Sequence, residues 1–80
     1  MLLCQMKYGG NMQIFLGKNL KELRLERGLT QKEVADALKI NSVTYLHYEK
    51  DQREPPLTLL ADMAVFFEVS VDYLLGLTSY

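Results

Sequence analysis

Ser42, Val43, Thr44, Leu46 and His47 lie together in one short stretch of the chain. Two hydroxyls, two branched apolar side chains and the chain's single imidazole make an uncharged set. Its chemistry is recognition rather than turnover. A Ser or Thr hydroxyl can serve a base edge or a phosphate, a Val can touch a thymine methyl, and a His can donate to a guanine N7. Nothing around it builds a catalytic centre. No nucleophile stands beside a His and a carboxylate, and there is no Gly-rich phosphate loop. His47 has no second His or Cys near it in sequence, so no metal site is expected. Plain surface remains an alternative for His47, and a pH switch would need a partner that the sequence does not identify. The chain is expected to be neither an enzyme nor dependent on a cofactor.

These residues need a helix to present them, and the sequence from 30 to 49 supplies one. Thr30 precedes a helical pattern and Glu33 follows three residues later. This is a capping box, in which the Thr hydroxyl accepts from a free first-turn amide and the Glu reaches back. Val34, Ala35 and Leu38 give the first helix an apolar face. Lys39-Ile40 interrupts the pattern. Asn41 can then cap a second helix, with Ile40 stapled onto Tyr45. Tyr45 and Tyr48 face inward, which leaves Ser42, Val43, Leu46 and His47 outside. Ala35 is small where the two helices must cross closely. Two short helices, a tight turn and a small residue at the crossing make a helix-turn-helix unit, whose second helix fits a DNA major groove.

The other elements follow the same logic. A first helix is expected from about Gln13 to Arg27, with Leu16, Leu20 and Leu23 buried and Lys18, Lys21, Glu22 and Arg24 in water. Gly28 takes the left-handed position after it. After the motif, the Pro55-Pro56 pair stops the second motif helix, and Pro56 suits the first turn of a fourth helix. That helix buries Leu60, Met63, Ala64 and Phe67. Ser70 caps a last short helix, Asp72 sits in its favoured first turn, Leu74 and Leu75 close the core and Gly76 ends it. The expected fold is all-α, five short helices. Residues 12–76 form the domain, with an extension at 1–11 and a tail at 77–80. Gly9-Gly10 could be encoded by a purine-rich ribosome-binding sequence just before Met12. Met12 is therefore expected to be the natural start, with a genuine arm as the alternative.

Eighty residues hold one domain. No apolar run is long enough for a bilayer, and the first residues lack signal-peptide form. A single cysteine, Cys4, makes no internal disulfide and fits a reducing cytoplasm. The net charge is −1, and from Thr30 to Pro55 Lys32, Lys39, Lys50 and Arg53 meet Glu33, Asp36, Glu49, Asp51 and Glu54. A nucleic-acid binder usually carries a basic footprint. Amides, hydroxyls and helix N-termini must then share the positioning.

The succession Leu29-Thr30-Gln31, Val34-Ala35, Ile40-Asn41, Tyr48-Glu49, Arg53-Glu54-Pro55, Leu60, Met63-Ala64, Phe67 and Val69 to Gly76 resembles the Xre/Cro-type helix-turn-helix family of phage and bacterial repressors. The resemblance spans about residues 18 to 76 and implies a lambda-repressor-like domain. It also implies a sequence-specific transcriptional regulator, a repressor acting as a dimer on double-stranded DNA. By the same resemblance Gln31 bonds a phosphate beside Lys32, while Ser42, Val43 and His47 meet base edges, flanked by Thr44 and Leu46. Lys50 and Arg53 then fall where the DNA backbone or minor groove passes. The plainer reading of these residues is solvated surface. Leu59 and Phe66, seven apart and off the core stripe, with Tyr73, Leu77 and Tyr80, suggest a dimer surface. The alternative is that Leu59 or Phe66 packs under the first helix or the arm.

Several positions depart from the family pattern. Lys39 and Asp51 stand where Gly, or Gly or Asn, is common, and a left-handed residue there carries strain. Val43 and Leu46 make the outward surface unusually apolar, without Arg or Lys between Asn41 and His47. Val43, Leu46 and the near-neutral charge support an alternative function, a protein-interaction module of antitoxin-like or anti-repressor-like type that grips a second protein.

Overall fold

The computed structural model describes residues 15–78, which form five helices: α1 (Leu16–Glu26), α2 (Gln31–Leu38), α3 (Ser42–Glu49), α4 (Leu57–Phe67) and α5 (Val71–Leu75). The expectations for residues 1–11, Met12, Gln13 and Tyr80 lie outside the described residues. One core runs through all five helices. Leu16, Leu20 and Leu23 of α1 meet Val34 and Ala35 of α2, Tyr45 and Tyr48 of α3, the Leu60, Met63, Ala64 and Phe67 stripe of α4, and Leu74 of α5. Each helix contributes the apolar residues that recur at helical spacing.

Local chemistry sets the starts. The Thr30 hydroxyl accepts from the Glu33 amide at 3.0 Å and the Glu33 carboxylate accepts from the Thr30 amide at 2.8 Å. Asn41 accepts from the Val43 amide at 2.7 Å, and the Ser70 hydroxyl from the Tyr73 amide at 2.9 Å. α1 is described from Leu16, with Phe15 as its N-cap, and Phe15 donates its amide to the Leu75 carbonyl at 3.2 Å. One start differs from expectation, that of α4. Pro56 is the N-cap of α4 in extended conformation, and not inside its first turn.

The ends share one device. After each helix a residue turns left-handed: Gly28, Lys39, Asp51, Glu68 and Gly76, with φ of 67°, 64°, 57°, 59° and 82°. In each case the next amide reaches back to a carbonyl five residues earlier. Examples are Leu29 to Arg24, Ile40 to Ala35 and Val69 to Ala64, at 3.1, 2.9 and 3.0 Å. This pairing satisfies carbonyls that a helix end would leave orphaned.

Arg24 corrects the sequence reading. It is buried rather than wet, and its guanidinium Nε sits 2.6 Å from the Glu49 carboxylate, which is also buried. Arg24 lies one turn after Leu20 and beside Leu23, so it belongs to the inner face of α1. α1 also caps its neighbours. The Asn19 amide donates to the Tyr73 and Leu74 carbonyls at the end of α5, at 3.0 and 3.1 Å. Arg27 donates to the Phe67 carbonyl at the end of α4 at 2.7 Å and lies over the Phe67 ring.

Candidate nucleic-acid interface

α2 and α3 pack against each other and α3 also packs against α1, so two neighbouring helices orient α3. Its inner side is Tyr45 and Tyr48, both buried. Its last residue, Glu49, is the fixed point. Arg24 donates through two nitrogens to the two Glu49 carboxylate oxygens, at 2.6 and 3.2 Å. The Gln31 amide nitrogen, from the first turn of α2, donates to Glu49 Oε1 at 3.0 Å. Arg24 also donates to the Leu29 carbonyl at 2.9 Å. One carboxylate thus joins α1, the start of α2 and the end of α3. Burial disfavours the charged Glu49, but hydrogen bonds from Arg24 and Gln31 and the guanidinium charge outweigh it and hold the carboxyl below its ordinary value. The hydrogen bond to Glu49 raises the Arg24 pKa in turn. Burial pushes the Tyr45 phenol well above its usual range, and its hydroxyl has no hydrogen-bond partner among the described residues.

A second latch lies next to it. Asp51, in its left-handed turn, accepts from the Gly17 amide at 3.0 Å. The carboxylate therefore meets the positive end of α1. Gly17 has to be a glycine. A Cβ there would collide with the Glu49 carbonyl and lie 2.6 Å from an Asp51 carboxylate oxygen.

The outward side of α3 carries the residues singled out from sequence. Val43 is 56% exposed, while Ser42, Thr44, Leu46 and His47 are half-buried. Lys50 and Arg53 follow, both exposed. Gln31 is half-buried and its amide nitrogen turns inward to Glu49, which brings it to the far end of α3. Lys32 is exposed and pairs with Asp36 at 3.2 Å. Neither Lys50 nor Arg53 takes part in an ion pair among the described residues.

The electrostatic puzzle posed by the composition eases on this geometry. Glu49 is buried on Arg24, Asp51 is bound to a helix N-terminus, Glu33 closes its own capping box, and Asp36 is matched by Lys32. Lys39, Lys50 and Arg53 are left as the motif's cations outside any ion pair among the described residues, against Glu54, the one carboxylate these contacts do not use. The sequence reading missed the Arg24–Glu49–Gln31 cluster. Two signals could have found it: a charge beside Leu23 on an apolar face, and an opposite charge one turn after Tyr45.

The apolar surface of α4 and α5 is arranged otherwise than the sequence suggested. Leu59, Phe66 and Tyr73 are half-buried and pack against the core. The Phe66 ring stands edge-on to Phe67, with centroids 4.9 Å apart. The exposed apolar side chains are Leu57 at 82% and Val65 at 77%, with Leu77 at 55%. Among the described residues no helix is long and apolar enough to cross a membrane.

Comparison with known proteins places this geometry. Residues 20–74 match the helix-turn-helix family. The chain is 46% identical over 61 residues to the HTH-type transcriptional regulator ImmR of Bacillus subtilis, covering 76% of this chain and 48% of that protein. It is 38% identical over 52 residues to the cryptic phage CTXphi transcriptional repressor RstR of Vibrio cholerae, covering 65% of this chain and 47% of that one. The chain spans about half the length of these curated relatives. In structure it is similar to a transcriptional regulator from Listeria innocua. The TM-score is 0.77 at 29% identity, over 81% of this chain and 61% of the other.

Proposed function

The chain belongs to the helix-turn-helix family, and from that premise we propose that it is a sequence-specific DNA-binding transcriptional regulator, a repressor acting from the cytoplasm as a dimer. α3 enters the major groove. Ser42, Val43 and His47 meet base edges, with Thr44 and Leu46 at the margin. Gln31 and Lys32 at the start of α2, and Lys50 and Arg53 beyond α3, lie along the phosphates. The observation that carries this reading is the division of α3. One side is locked into the core by Tyr45, Tyr48 and the buried Glu49, and the other offers hydroxyls, methyls and an imidazole that lie outside the core cluster.

Phosphate contacts position such a protein and base contacts give it sequence preference. Lys50→Ala should therefore weaken binding to all duplexes alike, whereas His47→Ala should reduce the gap between preferred and random sequence. Titration of each variant against both duplexes tests this. Equal losses on both duplexes for both variants would remove His47 from base reading.

A second reading has its own observation. Val43 is exposed on the recognition side and Leu57 and Val65 are exposed on α4. Apolar exposure of this kind favours protein contact. On α3 it supports an antitoxin-like protein-interaction module, and on α4 it supports the dimer.

A further inference from the structure

We propose that the protein reads thymine through Val43, whose side chain packs against the 5-methyl group of a thymine in each half of its DNA site. The inference rests on the DNA-binding reading and gives it a base.

Base pairs in the major groove are told apart by hydrogen-bonding edges and by the thymine methyl. The strong polar readers are forked: Arg or Lys on guanine, Asn or Gln on adenine. The outward side of α3 has none of these between Ser42 and Glu49. The two nearby amides are already engaged. Asn41 accepts from the Val43 amide at 2.7 Å through its side-chain oxygen, which ties that side chain to the helix start as its cap. Gln31 turns its amide nitrogen to Glu49. Lys50 and Arg53 lie past the C-terminal end of the helix, whereas base edges are met by the N-terminal part of a recognition helix.

Val43 is the second residue of α3, in that N-terminal turn. It is more exposed than its neighbours on the helix and takes no part in the core. Its β-branched side chain has one strongly preferred rotamer in a helix, so it offers a fixed apolar knob rather than a mobile one. In a groove lined with polar edges, the complementary feature is the thymine methyl. Burying one methyl group is worth about a fourfold change in affinity.

The test uses the duplex that the protein enriches from random DNA. Each thymine is replaced singly by deoxyuridine, which removes only the methyl group. Wild type should lose about fourfold at one thymine per half-site. Val43→Ala, whose fold is checked by circular dichroism, should bind the thymine duplex about as weakly as wild type binds the deoxyuridine duplex. It should lose nothing further on deoxyuridine at that position. If no deoxyuridine weakens wild type, or if Val43→Ala responds to deoxyuridine as wild type does, Val43 does not read a methyl group, and the DNA-binding reading survives. If no duplex is enriched at all, the DNA-binding reading falls and this inference with it.

Discussion

Glu49 ties three helices to one carboxylate, and its removal tests that directly. Truncating one partner of a buried pair leaves the other charge stranded, which costs about 3–5 kcal/mol. Arg24→Met and Glu49→Met should each approach that loss in denaturant titrations. The double variant should fall well short of the sum, because no buried charge is left unpaired. Additive losses would mean that the pair is not coupled. The cluster also carries a pH dependence. Glu49 is held below its ordinary value of 4.5. A carboxyl with a depressed folded pKa contributes stability above its unfolded value and loses that contribution as pH falls through the folded value. Stability should therefore drop on acidification below about pH 4.5, and Glu49→Gln should flatten that drop; equal slopes for the two proteins would contradict it. Each charge is marked locally by its place on an apolar face, but their pairing is not. Arg24 looked like a surface cation because residue type was weighed over its place beside Leu23, and its partner lies far along the chain. Thr30, Asn41 and Ser70 were legible, because a cap and its target sit within three residues of each other.

At the scale of the helix, every end closes through a left-handed residue, yet Lys39, Asp51 and Glu68 are not glycine. A side chain in that conformation costs about 1–2 kcal/mol, and glycine returns part of the gain as chain entropy. Lys39→Gly and Glu68→Gly should each raise stability by about 0.5–1 kcal/mol. Asp51→Gly should gain nothing, because it also loses the carboxylate bound to the Gly17 amide, worth about 1 kcal/mol as a helix cap. Thermal denaturation of the three variants separates these cases, and a gain at Asp51 equal to that at Lys39 would mean the latch contributes nothing. Gly17→Ala is the converse. Helix propensity alone favours Ala by about 1 kcal/mol, but the new Cβ would strike the Glu49 carbonyl. Net destabilisation is expected. The helices themselves could be read from periodicity, down to the four inner residues of α4. The left-handed end at Glu68 could not, because nothing in its residue type marks it.

At the scale of the molecule, the exposed apolar surface and the exposed cations point in different functional directions. A single helix-turn-helix unit reads few bases, and a two-fold pair reads two half-sites about one turn, roughly 34 Å, apart. The sequence suggests such a pairing through Leu59, Phe66, Tyr73, Leu77 and Tyr80; of these Leu59, Phe66 and Tyr73 are half-buried against the core and Leu77 is exposed. Val65 and Leu77 are the exposed positions to test. Val65→Glu and Leu77→Glu should both stay folded by circular dichroism, and at least one should turn a dimer into a monomer by sedimentation; unchanged mass for both would remove this surface from the interface. DNA affinity should also have a shallow salt dependence. Each neutralised phosphate adds about 0.9 to the log–log slope, and few free cations flank α3.

Selection of random duplex DNA on the purified protein, repeated with Val43→Ala and His47→Ala, tests most directly whether the outward side of α3 reads sequence. The wild type should enrich a two-fold symmetric motif, and each variant should enrich a motif relaxed at one position in each half. A pool that stays random although the protein binds it, or the same motif from all three proteins, would contradict that role for α3.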